Sequence, residues 1–237
     1  MKRLKNRHLF RLYEHIQPFV NYSIPKEKYI WGSKVLVIAP HQDDESVGCA
    51  GTLIKHVKTG GHVEIVFCTH DSSERAIEAE RAAIVIGAKR IHYMHFQIRT
   101  LYNNEDFYNN LVLIINKVNP DVIFIPFLFD KHNDHMVISQ AIVHIKEMIN
   151  LKCIVYCYSV WSPLNPNCLF DISDVWDLKK EAIECYQTQI STRDYVRIAQ
   201  GLNQYWGEIK EHGMRYAETF FMATMQKYIS LCEKIFK

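Results

Sequence analysis

Short runs of consecutive apolar residues alternate along this chain with longer stretches in which apolar positions recur every three or four residues. Residues 35–39 (Val35-Leu36-Val37-Ile38-Ala39) form the first run and read as a buried strand. Residues 48–59 read as a helix that closes at Gly60-Gly61, a stop signal. A second strand is expected over 62–69, then an Ala- and Glu-rich helix over 73–86 that opens on a serine and ends at Gly87. A third strand follows over 91–96, and a helix over 106–118 ends before Asn119-Pro120. A fourth strand over 122–127, an amphipathic helix over 134–149 and a fifth strand over 153–161 complete the series.

Strands alternating with helices imply right-handed crossovers and a mostly parallel, Rossmann-like α/β sheet flanked by helices. In a doubly wound sheet the five strands would be ordered 3-2-1-4-5. Strands one and four then lie side by side where chain order reverses, and a ligand crevice opens at their carboxyl ends. The last third breaks the rhythm. Residues 161–167 (Trp161-Ser162-Pro163-Leu164-Asn165-Pro166-Asn167) read as a loop, 171–190 and 194–211 as helices, and 216–225 as a final strand or helix. This C-terminal elaboration belongs to a single domain over 34–237.

The N-terminal 33 residues start basic, with Lys2, Arg3, Lys5, Arg7 and Arg11. Their apolar positions fit a helical stripe packed on the domain; the alternative is peripheral contact with an anionic membrane. They lack the uninterrupted apolar core and small-residue cleavage site of a signal peptide. No apolar run approaches the roughly 20 residues that cross a bilayer.

Composition narrows the classes. The chain has 237 residues, 48% of them hydrophobic, enough for one α/β domain with a real core. With 28 basic and 26 acidic residues it is close to neutral, which argues against nucleic acid as the main partner. The seven cysteines include no Cys-x-x-Cys pair, and Cys49, Cys68 and Cys153 lie in apolar contexts. They read as core residues of a protein in a reducing, cytoplasmic compartment.

Two polar knots follow strands one and four. His41-Gln42-Asp43-Asp44-Glu45 leads on to Gly48 and Gly51, and Asp130-Lys131-His132-Asn133-Asp134-His135 follows Pro126. Adjacent carboxylates repel unless a cation lies between them or one takes a proton. Catalytic zinc usually has three protein ligands drawn from His, Asp, Glu or Cys, and His41, Asp44 and His135 fit that set. Asp43 would then stand beside the metal as general base, and His132, as an imidazolium, would stabilise an oxyanion. Asp130 or Asp134 would orient the histidines, and Glu45 would bind metal or hold the loop by accepting backbone N–H bonds. The ligand set also accepts iron, cobalt or manganese.

Residues 39–45 (Ala39-Pro40-His41-Gln42-Asp43-Asp44-Glu45), the following Gly48-Cys49-Ala50-Gly51-Thr52, and Pro126 through Asp130-x-His132-x-Asp134-His135 together resemble the PIG-L (LmbE-like) family of metal-dependent sugar de-N-acetylases. The likeness runs from residue 34 to residue 225. It is echoed by Arg75-x-x-Glu78-Ala79, Tyr158-Ser159-Val160-Trp161, Lys180, Tyr186-x-x-Gln189 and Tyr216-Ala217-Glu218. The family usually has Pro where Gln42 stands, and an Asp-Gly step that many relatives carry is absent.

The resemblance implies one zinc ion on His41, Asp44 and His135, Asp43 as base and His132 as transition-state partner. It also implies substrate contact by Arg75, which could instead pair with Glu78; Arg99 is a further pocket candidate. The expected activity is removal of acetyl from an N-acetylglucosaminyl-type conjugate, a small-molecule partner. The alternatives are a metal-dependent phosphoesterase, a deacylase of a non-sugar amide, and a non-catalytic carbohydrate-binding protein. Neither the carrier of the sugar nor the oligomeric state is legible in the sequence.

Overall fold

The computed structural model describes residues 24–70, 72–149, 152–209 and 213–236. Eight strands and eight helices lie among them. β1 (Lys26–Glu27) is followed by β2 (Lys34–Ala39), α1 (Asp44–Lys58), β3 (His62–Thr69), α2 (Ser73–Ile86), β4 (Arg90–Phe96) and α3 (Glu105–Val118). Then come β5 (Val122–Pro126), α4 (Asn133–His144), β6 (Ile154–Tyr158) and β7 (Cys168–Asp171). The chain continues through α5 (Trp176–Glu184), α6 (Gln187–Ile190), α7 (Tyr195–Ile209), β8 (Ala217–Thr224) and α8 (Met225–Ile235).

The sheet runs β1-β7-β8-β6-β5-β2-β3-β4. Its parallel part, β4-β3-β2-β5-β6, is the 3-2-1-4-5 order read from the sequence. β2 lies between β3 and β5, with Val35 opposite Val63 on one side and Val122 on the other. Strand alternation sorts the core into two layers. Val35 and Val37 pack with Ala50 and Leu53 of α1 and with Ala79 and Ala82 of α2. Leu36 and Ile38 face the opposite layer, with Leu111 of α3, Ile138 of α4 and Tyr228 of α8. Both faces of β2 are therefore covered, which is why its sequence is continuously apolar instead of alternating.

In the C-terminal third the expected helices appear as α5 and α6 within 171–190 and α7 within 194–211, and a strand not read from the sequence precedes them. Cys168-Leu169-Phe170-Asp171 is a strand, and β8 runs antiparallel to both β6 and β7, carrying the sheet three strands beyond β6. Four residues are too few for periodicity to separate a strand from a loop. β8 resolves the open alternative at 216–225 as a strand, with α8 starting at Met225. Of the N-terminal 33 residues, 1–23 lie outside the described residues, and with them the stripe read as a packed or membrane-contacting helix. Residues 26–27 pair in parallel with β7. Among the described residues, no helix is long and apolar enough to cross a membrane.

α1 lies very close to the sheet. A Cβ at Gly48 would stand 2.4 Å from the Tyr158 ring of β6, and one at Gly51 would meet Ile172 at 2.9 Å. Gly48→Ala is expected to cost about 1–3 kcal/mol through overpacking against Tyr158, whose hydroxyl donates to the Ile38 carbonyl and cannot shift freely. Urea denaturation followed by far-UV circular dichroism checks this; an unchanged midpoint would contradict the close approach.

Candidate active site

The carboxyl ends of β2 and β5 deliver the two polar knots to one place. After β2 the chain bends at residues 40–41 and turns at 42–43, and α1 begins at Asp44, four residues before the helix start read from the sequence. Asp44 and Glu45 thus occupy the first helical turn, where the N-terminal dipole favours carboxylates. After β5, Asp130 precedes a turn, and His132 caps α4 by accepting the Asp134 backbone N–H at Nδ1, 3.3 Å. That turn aims His135 back at β2.

Asp44 Oδ2 lies 3.1 Å from His41 Nδ1 and 3.2 Å from His135 Nε2, and those two nitrogens are 3.4 Å apart. Tetrahedral ligands at zinc bond lengths of about 2.0–2.1 Å would be separated by roughly 3.3 Å, so the triangle has the dimensions a single small cation needs. Asp44, His41 and His135 are all buried. His41, His132 and His135 also place ligand atoms within 4.8 Å of one another, a group that could hold a metal ion. The set with Asp44 is the tighter of the two.

Both imidazoles of the triangle are held from behind. His41 Nε2 is 3.0 Å from Asp134 Oδ2, and His135 Nδ1 is 3.1 Å from Asp130 Oδ2. Each carboxylate takes the N–H of one ring nitrogen and leaves the other lone pair facing the triangle. Asp130 also accepts the backbone N–H groups of Val160 and Trp161 at 3.0 and 2.9 Å, which ties the wall after β6 to His135. Asp134 accepts the backbone N–H of Arg99 at 3.0 Å. Arg99 itself is exposed at φ +67° and reaches the site through its main chain, while its neighbour Ile98 lines the pocket.

Asp43 is the strained residue. It adopts φ +135°, a conformation that side chains bearing a Cβ rarely take and that costs about 1–3 kcal/mol unless its surroundings impose it. They do. Its carbonyl accepts the N–H groups of Ser46 and Val47 at 3.0 Å each, and its own N–H reaches Glu45 Oε2 at 3.3 Å. The buried Arg75 guanidinium lies 3.3 Å from the Asp43 carboxylate and donates to the Gln42 carbonyl. Glu78, the other partner considered for Arg75, accepts instead from the N–H and hydroxyl of Thr188 at 2.8 and 2.6 Å. Glu45 is buried and accepts the hydroxyls of Ser46 and Tyr186 at 2.6 and 2.7 Å, so it braces the loop from below.

Electrostatics follow this packing. Burial lowers the His41 pKa, but hydrogen bonds to Asp134 and Asp44 and the Asp44 charge outweigh it and bring it to about 9. Burial lowers His135 too, and Asp44 and Asp130 raise it to about 10. Burial would raise Asp44, yet the two imidazoles hold it far below the usual carboxylate range. Asp43 is pushed well up, first by burial and then by Asp44, with Arg75 opposing. His132 is pushed down by burial and by His41 and His135. That direction disfavours the imidazolium expected from the sequence, and the backbone N–H directed at Nδ1 favours the tautomer with the proton on Nε2.

A cavity of about 140 Å³ opens over this cluster, lined by His41, Asp43, Asp44, Arg75 and His132, with Ile98, Val160, Trp161, Gln189 and Tyr195 around them. Trp161 is 39% exposed, and the Arg193 guanidinium stands 4.9 Å over its ring. Sequence reasoning gave no role to Ile98, Trp161, Gln189 or Tyr195. Trp161 and Gln189 sit among the weaker family echoes, but Ile98 and Tyr195 carry no signal, because their setting exists only once α6, α7 and the loop after β4 are folded over the crevice. A larger cavity of about 730 Å³ lies between β8 and α8, where Lys227 and Lys234 are the lining groups that carry charge.

Comparison with known proteins agrees with this architecture. The family profile described as PIG-L, GlcNAc-PI de-N-acetylase, matches residues 36–146. A diacetylchitobiose deacetylase of Thermococcus kodakarensis is 25% identical over 221 residues, covering 78% of this chain and 81% of that protein. The conserved protein TT1542 of Thermus thermophilus superposes with a TM-score of 0.72 at 26% identity, over 79% of this chain and 93% of its own. The N,N'-diacetylchitobiose deacetylase of Pyrococcus horikoshii shares the fold at a TM-score of 0.70 and 22% identity, with 96% of each chain covered. Over residues 36–146, which span both polar knots, the chain is thus similar to the PIG-L family.

The metal-free protein should show a defined pH response. His41 and His135 have raised pKa values, so the stability they contribute is complete below their ordinary value of 6.5 and is lost as pH rises through about 9 and about 10. The melting temperature of the chelated protein is expected to fall by several degrees between pH 7 and pH 10, and a His41→Asn/His135→Asn variant to show a flatter profile. Equal slopes in the two would contradict the assigned pairs.

Proposed function

We propose that this protein is a metal-dependent hydrolase that removes the N-acetyl group from an N-acetylglucosaminyl-type amino sugar conjugate. The observation that carries the reading is the triangle of His41, Asp44 and His135 with a fourth group, Asp43, held in strained backbone beside it. The matched family description and the deacetylase named among the relatives give the reaction class.

His41 Nδ1, Asp44 Oδ2 and His135 Nε2 would hold the ion, with Asp130 and Asp134 fixing the tautomer of each imidazole. When bound, zinc would supply Lewis-acid polarisation for attack of water on an amide. The Asp43 carboxylate takes the proton of the attacking water and returns it to the amine nitrogen as the C–N bond breaks. Its raised pKa suits a group that must hold that proton between two steps. Arg75 limits the rise and fixes the carboxylate's direction. The His132 Nε2–H donates to the carbonyl oxygen as it gains charge.

The cavity is small, so it accommodates the acetamido end of the sugar and leaves the rest of the conjugate at the rim formed by Ile98 and Trp161. The seven free cysteines, six of them buried, suit a reducing compartment, and a cytoplasmic location is part of this reading.

Acetate release from N-acetylglucosamine, diacetylchitobiose and larger N-acetylglucosaminyl derivatives, with and without chelator, tests the proposal. Activity is expected to vanish on chelation and return with zinc. Asp43→Asn should keep zinc bound while kcat falls by about 10²–10⁴-fold. Full turnover in that variant removes Asp43 from the mechanism, and chelator-insensitive acetate release removes the metal.

A further inference from the structure

Two buried charged residues outside the cavity reach into the main chain of α1. Glu218 of β8 accepts the backbone N–H of Gly51 at 2.9 Å through Oε1 and that of Thr52 at 2.7 Å through Oε2. Lys179 of α5 donates from Nζ to the Val47 carbonyl at 2.9 Å and to Glu218 Oε1 at 2.6 Å. Glu218 and Lys179 are almost fully buried. In a regular helix the Gly51 N–H belongs to the Val47 carbonyl and the Thr52 N–H to the Gly48 carbonyl. Here the donors of those ladder positions face a carboxylate, and the Val47 acceptor faces an ammonium. The ion pair therefore contacts the main chain of α1 at Val47, Gly51 and Thr52.

The pair thus meets α1, a single helix over Asp44–Lys58, one turn after its start. Glu218 faces N–H groups as an anion does at a helix N-terminus, and Lys179 faces a carbonyl as a cation does at a helix C-terminus. The first turn of α1, residues 44–47, lies directly before these contacts and carries Asp44 and Glu45. Gly48 and Gly51 lie beside them, and lacking side chains they let β6 and the segment after β7 approach closely enough for Glu218 to reach the helix. A purely structural ion pair had no need to meet main-chain groups at this point, and a buried pair is by itself weak support for stability.

We propose that Lys179 and Glu218 are positioning residues that set the direction of the 44–47 turn, and hence of Asp44, toward His41 and His135. This rests on the metal-site reading above. The C-terminal elaboration thereby completes the ligand geometry as well as covering the crevice.

The test measures zinc affinity of the full chain by chelator competition, and the visible spectrum of the cobalt-loaded protein, for the unmodified chain and for Lys179→Met, Glu218→Gln and Lys180→Met. Lys180, on the same helix but pairing with Glu184 at the surface, is the control. Well below their melting temperatures, Lys179→Met and Glu218→Gln are expected to bind zinc about 10–100-fold more weakly, with an altered cobalt spectrum, as loss of a group supporting a ligand does. Lys180→Met should match the unmodified chain. Unchanged affinity and spectrum in folded Lys179→Met or Glu218→Gln overturns the inference while leaving the metal site intact. Failure of both variants to fold overturns it as well, because the pair would then hold the whole domain and not this turn. If the unmodified chain binds no zinc, the underlying metal reading falls instead.

Discussion

Four buried carboxylates, Asp44, Glu45, Asp130 and Asp134, and the half-buried Asp43 crowd the carboxyl ends of β2 and β5. That concentration of negative charge in a low-dielectric interior is the constraint to which the rest of the site answers. Each acid is met by a specific partner: Asp134 by His41, Asp130 by His135 and two backbone amides, Glu45 by two hydroxyls, Asp43 by Arg75. Asp44 has both imidazoles and the His41 backbone N–H on one oxygen. Without a cation those imidazoles must carry protons, and their elevated pKa values express that demand. A divalent ion meets the same demand and releases the protons, so metal and proton compete for one place.

The sheet makes this crowding possible. β2 and β5 are adjacent because chain order reverses there, and neither knot needs a long loop to reach the other. Parallel strands covered on both faces give a stiff base, while the strained Asp43 and the brief turn before α4 supply the aim. Strain of this kind persists only when neighbouring groups over-determine it, as the amides of Ser46 and Val47 and the guanidinium of Arg75 do here.

The parallel core was legible in the sequence because its signals are local. Val35–Ala39 and Val122–Phe127 are continuous apolar runs, Gly87 does end α2, and the strand order is that of a doubly wound sheet. His41, Asp44 and His135 were legible as a group because two compact knots each follow a core strand. Other features were not. The helix was read from Gly48, whereas α1 starts one turn earlier and takes in Asp44 and Glu45, and Gly48 and Gly51 mark close contact with Tyr158 and Ile172. β7 was hidden by its length. Ile98, Gln189 and Tyr195 acquire meaning only through tertiary folding. Lys180 matched the family pattern by sequence, but Lys179, one position earlier, is the lysine buried against Glu218.

The protonation state of His132 bears on the chemistry as much as its position does. A cationic imidazole 4.6 Å from the His41 ring would stand against two further positive groups, or against a divalent ion in their place. Repulsion and burial both drive it neutral. Capping α4 then resolves the tautomer, since a backbone N–H directed at Nδ1 requires a lone pair there and leaves hydrogen on Nε2. A neutral donor fixed by a helix terminus costs no reorganisation when charge develops on a nearby oxygen, whereas an imidazolium would pair with Asp43 and compete with its role as base. The same short helix that brings His135 to Asp44 thus orients the His132 ring, so the two side chains are coupled through the main chain of residues 132–135.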